Sequence, residues 1–210
     1  MMGVKETVKK IFRKAKREAQ VVKGEKSKDK IFSSSRIFSN EELAKSFFEE
    51  SRKRLFDVNA WSFIPRAINS NFQLYSSSGE RSFNKRPAVN DFIRIELPGP
   101  FPENWVKVVD VKEEENFSEF TVTPSVDPTK KENNKEIEHF FRPEARSTFK
   151  VERKFEVITA YEIGKNESVN VKQPEAGNRP VTNALVAEGG WVAFQKIQWE
   201  NLTDYLIDKI

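Results

Sequence analysis

The sequence predicts an α+β domain, an antiparallel sheet covered by helices. Two observations carry this. Between about residues 71 and 163, apolar and polar residues alternate with period two, in runs separated by turn chemistry. On either side of that region the apolar spacing is helical, so elements with one apolar stripe are available to cover one face of the sheet.

The elements follow in chain order. Val4, Val8, Ile11, Phe12, Ala15, Ala19 and Val22 form one stripe at helical period, with Lys5, Lys9, Lys10, Arg13, Lys14, Lys16 and Arg17 around it. This predicts a basic amphipathic helix over 4–22. Residues 23–36, KGEKSKDKIFSSSR, read as turn and linker, so the expected division is a basic segment at 1–36 and a single α+β domain at 37–210. A second helix is expected to start at Ser39, with Glu42 completing a capping box and Phe38 stapled to Leu43. Its apolar face would carry Leu43, Phe47, Ser51 and Leu55, with Phe48 beside it.

Strands follow from residue 71. Phe72 and Leu74 alternate with polar neighbours, and SSSGE turns the chain. Residues 91–98 form a strand with Ile93, Ile95 and Leu97 inward and Arg94 and Glu96 in water; Pro98 and Pro100 end its pairing, and Gly99 permits the corner. The runs 105–111 and 117–124 flank KEEEN as a hairpin, residues 125–138 are polar loop, and 147–163 hold two strands with a tight turn near 153–156. After a turn-rich stretch, a terminal helix carries Trp199, Leu202, Leu206 and Ile210 on one face.

Composition limits the chemistry. The 18 Phe and 4 Trp supply a core, since aromatics dominate burial where they cluster. The absence of Cys excludes disulfides, thiolate metal sites and cysteine nucleophiles, and it fits a reducing compartment. No run is apolar and long enough to span a bilayer, and no secretory leader is read, so a cytoplasmic location is expected. The net charge of +4 is uneven: residues 1–30 hold 11 Lys+Arg against 4 Asp+Glu, a local +7, which leaves the rest at −3. The basic helix can pack on the domain or a protein partner, or lie on an anionic membrane surface. Nucleic acid is disfavoured, because no aromatic interleaving or reading motif accompanies the charge.

No catalytic constellation is readable. His139 is the single histidine and has no metal-spaced partners, so no metal or cofactor is expected. The serine runs at 33–35 and 76–78 lie outside any nucleophile-elbow context, and AEGG at 187–190 outside a phosphate-loop context. Glu113–Glu115 with Asp110 read as solvated charge at a hairpin tip.

The order RPAVNDFIRIELPGP, WVKVVDV, FTVTPS, HFF and STFKVERKFEVITAYEIGKNE, closed by FQKIQWENLTDYL, resembles bacterial proteins grouped as a family without assigned function. More distantly, residues 70–210 are similar to START and polyketide-cyclase-like (helix-grip) domains. The resemblance implies a curved antiparallel sheet wrapped around the C-terminal helix with an apolar cavity between them. It transfers no catalytic residue. The leading expectation is a non-enzymatic binding module for a small hydrophobic or aromatic molecule. Trp105, Phe149, Tyr161 and Trp199 are its expected wall, and His139 or Tyr161 its polar handle. The second expectation is an interaction or structural protein with a filled core; an enzyme is third.

Overall fold

The computed structural model describes residues 28–65, 70–98, 103–130, 137, 139–168 and 191–210, with no account of the side chains at 28 and 191–194. The basic helix expected at 4–22 lies outside the described residues. Seven strands form one antiparallel, curved sheet: β1 (Lys28–Ile37), β2 (Asn71–Tyr75), β3 (Phe92–Glu96), β4 (Asn104–Glu113), β5 (Phe117–Pro124), β6 (Arg146–Lys154) and β7 (Val157–Glu167). Their order is β1-β7-β6-β5-β4-β3-β2, a meander with β1 returned to its far edge. Helix α1 (Glu41–Phe56) packs on β6 and β7, and α2 (Trp191–Leu206) on β1 and β7. A 3₁₀ helix, Val58–Phe63, covers β2. This is the helix-grip-like α+β arrangement expected.

Alternation explains which face is covered. Along β5, Ser118, Phe120, Val122 and Pro124 are buried while the residues between them are half-buried, as a pleated strand with one packed face requires. Ile158 and Ala160 of β7 and Val151 of β6 continue that face, and Leu202 and Leu206 of the terminal helix, with Ile207 just after it, close it, all fully buried. Trp61 sits at its centre. Its ring stacks 5.8 Å from Phe120, meets Phe149 edge-on at 5.0 Å, and donates Nε1–H to the Arg54 carbonyl at 2.9 Å. A buried indole keeps its one donor satisfied in this way.

Three local expectations are corrected. Lys28–Ile37 form a strand rather than a linker, antiparallel to β7. Their serines look like turn chemistry, yet Ser34 Oγ donates to Asp204 at 2.6 Å and lies 3.0 Å from Thr203 Oγ1, so α2 binds the strand through polar contacts. The cap of α1 is Asn40, not Ser39: its Oδ1 accepts from Leu43 N at 2.9 Å and its backbone is extended. The buried face of the helix also differs from the expected one. Ala44, Phe48, Ser51, Leu55 and Phe56 are buried, Leu43 is exposed, and Phe38 packs on the Phe47 ring at 5.1 Å instead. Strand β3 is shorter than expected, and Ile95 is half-buried where Ile93 is buried.

A candidate ligand cavity under the C-terminal helix

A cavity lies between the inner face of the sheet and α2. Ile95 of β3, Asn104 and Val106 of β4, Val122 of β5 and Ser147 and Phe149 of β6 form its floor. Gln195, Gln198 and Trp199 of α2 roof it, and Ser70, Leu97, Phe140, Phe141, His139 and Glu167 complete the wall. It leaves about 50 Å³ for the centres of water molecules, room for a few waters and well below the ~150 Å³ cavity that admits benzene.

Of the five residues expected to form a site, Phe149, Trp199 and His139 lie on this cavity, with the Phe149 and Trp199 rings 5.4 Å apart, edge to face. Trp105 and Tyr161 do not. Val106 faces the cavity, so its neighbour Trp105 projects to the opposite face, where it meets Tyr75 edge-on at 4.8 Å. Tyr161 lies between the inward, fully buried Ala160 and Glu162, and its ring stands 6.0 Å from Lys150 Nζ on the other side. His139 Nδ1 accepts from Phe141 N at 2.9 Å, and its ring lies 5.9 Å from that of Phe141.

The polar end of the cavity went unread in the sequence. Along β7, Ile158, Ala160, Glu162 and Gly164 all face inward, which puts a carboxyl into the packed face. The strand then bulges against β1: Lys30 pairs with Gly164 but Lys28 with Glu167. Asn166 takes a left-handed φ of 54°, which asparagine tolerates, and its N–H donates to Asp29 Oδ1 at 3.0 Å. The bulge shifts the alternation by one, so Glu167 turns inward instead of outward. Its carboxylate accepts from Gln195 Nε2 at 2.8 Å and lies 3.4 Å from Lys30 Nζ, which also donates to Gln195 Oε1. On the same side, Gln198 Oε1 accepts from Ser70 N and Oγ, each at 3.1 Å.

Glu162 has a different environment. It is fully buried, and neither carboxyl oxygen has a hydrogen bond of ordinary geometry. Loss of hydration, and then the nearby Glu167 carboxylate, push its pKa well above the usual carboxylate range; the Ser147 hydroxyl and the Lys30 ammonium oppose this more weakly. The parity of Glu162 with Ile158 and Ala160 was the signal that could have found it.

Among the described residues, no group of three or more His, Cys, Asp or Glu is placed to hold a metal, and no helix is long and apolar enough to cross a membrane.

No family model matches the chain, and no curated protein matches it. Among solved structures it is similar to a hypothetical protein, jhp0584, from Helicobacter pylori, at 14% identity over 89% of this chain and 92% of that one, with a TM-score of 0.45. Norcoclaurine synthase from Thalictrum flavum, in complex with dopamine and hydroxybenzaldehyde, is similar at 10% identity over 90% and 93%, with a TM-score of 0.42. Major latex-like protein 151 from Panax ginseng is similar at 13% identity over 78% and 97%, with a TM-score of 0.38. At TM-scores below 0.5, the sequence and the cavity are the grounds for any functional reading.

Proposed function

We propose that this chain is a small-molecule binding module whose ligand enters the cavity under α2. One observation supports the reading: a mainly apolar cavity between sheet and helix with a buried carboxyl group, Glu167, at one end, where close packing would ordinarily leave neither space nor acid. The apolar wall suits a hydrophobic or aromatic body, with a polar handle meeting Glu167, Gln195 or His139. A whole ring needs more room than the cavity offers, so binding would include outward movement of Trp199 or of the 139–141 segment. The module is read as non-enzymatic and cytoplasmic.

The division of the chain is read as falling before Lys28, a reading supported by the pairing of β1 with β7. The basic segment ahead of it is read as the surface for a protein partner or an anionic membrane. The competing reading, a protein-interaction module, is favoured by Ile31 and Ile37, which are 66% and 78% exposed on the edge strand β1.

Tryptophan fluorescence and thermal shift against a panel running from benzyl alcohol to fatty acids and polycyclic aromatics test the small-molecule reading. A saturable shift with any member supports it. Silence across the panel leaves the interaction reading in its place.

A further inference from the structure

We propose that the cavity selects a ligand with a protonated amine head on an apolar stem, an inference that rests on the small-molecule reading above. The argument is one of charge and satisfaction. Glu162 and Glu167 stand on the same buried side of β7, and Lys30 is the ammonium that faces them. Lys30 and Gln195 serve Glu167; no hydrogen bond of ordinary geometry reaches either oxygen of Glu162, beside which the Ser147 hydroxyl stands.

Glu162 looks toward the cavity side. It lies directly opposite Phe149 on β6, so the two side chains share a face, and Phe149 is cavity floor. Ser147, beside the Glu162 carboxyl, is floor as well. A buried carboxylate must be neutralised by a proton or by a cation. Burial by itself favours the proton. An ammonium group placed against Ser147 and Glu167 would supply the missing positive charge through charge-assisted hydrogen bonds, which a neutral alcohol cannot match. An anionic head would add a second negative charge beside Glu167, opposite one lysine. The apolar stem would lie on Val106, Val122 and Phe149.

The test is calorimetric titration of the full chain at pH 7 with benzylamine, benzyl alcohol and benzoate. Benzylamine is expected to bind at least about tenfold more tightly than benzyl alcohol, with benzoate weakest. In Glu162→Gln the amine's advantage is expected to fall to about threefold or less with the alcohol's affinity kept, and Glu167→Gln should act in the same direction. If either variant fails to fold, the ranking on the unaltered chain decides. Benzyl alcohol or benzoate binding as tightly as the amine overturns this proposal and leaves the cavity a ligand site. Silence from all three while another panel compound binds overturns it as well. Silence from these and from the wider panel removes both readings together.

Discussion

The Glu167 carboxyl lies across Gly164: a Cβ at position 164 would stand 2.9 Å from Glu167 Cδ and 3.4 Å from its Cγ. Glycine is needed here for space, since the φ of Gly164 is ordinary for a strand. Gly164→Ala should therefore displace a buried side chain and separate Glu167 from Lys30 and Gln195. The expected cost is about 1–3 kcal/mol in urea unfolding. An unchanged midpoint, with benzylamine affinity also unchanged, would mean that Glu167 moves aside freely.

The raised pKa of Glu162 has a consequence for stability with a definite sign. The folded protein holds this proton more tightly than the unfolded chain does. Its contribution is full below the ordinary carboxylate range and is lost as pH rises from there through the raised folded value. Within that window the slope is about −1.4 kcal/mol per pH unit. Glu162→Gln should remove that component, so the variant gains on the unaltered protein as pH rises. Parallel stability–pH curves for the two would show that Glu162 ionises normally in the fold.

The cap of α1 separates two adjacent residues. Asn40→Ala removes the acceptor for Leu43 N and is expected to cost about 0.5–2 kcal/mol, whereas Ser39→Ala should cost little. Equal shifts in thermal melts would contradict this assignment.

Burial ranks the core substitutions. Leu202 is fully buried between α2 and the sheet, and Leu202→Ala should cost about 2–5 kcal/mol. Ile95 is half-buried and borders the cavity, so Ile95→Ala should cost less and is expected to enlarge the ligand space. A larger loss at Ile95 than at Leu202 in chemical denaturation would reverse the ranking.

The sequence carried the meander from β2 to β7 and the terminal helix because each announces itself locally, by period two or by helical spacing. β1 was unreadable for the opposite reason. Its residues KDKIFSSSR carry no strong strand preference; they become a strand because β7 lies beside them, and no local pattern reports that. The site was half legible. Phe149 and Trp199 were reached through aromatic supply and the implied position of the last helix, while Trp105 and Tyr161 were assigned by residue type without strand parity, which turns both to the other face. Parity alone would have flagged Glu162. Glu167 would have escaped even so, since it depends on the bulge at Asn166.

The place of β1 in the sheet also sets an order of events in folding. Strands β2 to β7 each pair with the next in the chain, so their contacts close short loops. Only β1 must find a distant partner: Ser35 and Thr159, side by side in the sheet, are 124 residues apart in sequence. The entropy of closing that loop is repaid only after β7 and α2 are in place to receive the strand. Docking of β1 is therefore expected on the native side of the rate-limiting barrier. Ser34→Ala, which removes the bond to Asp204, should accelerate unfolding and leave the refolding rate nearly unchanged, a φ-value near zero. Slowed refolding with unaltered unfolding would place β1 in the nucleus. With β1 docking late, the partly folded chain exposes the open edge of β7 and the buried acids beside it, and it is in that interval that the protein is most exposed to association with another copy.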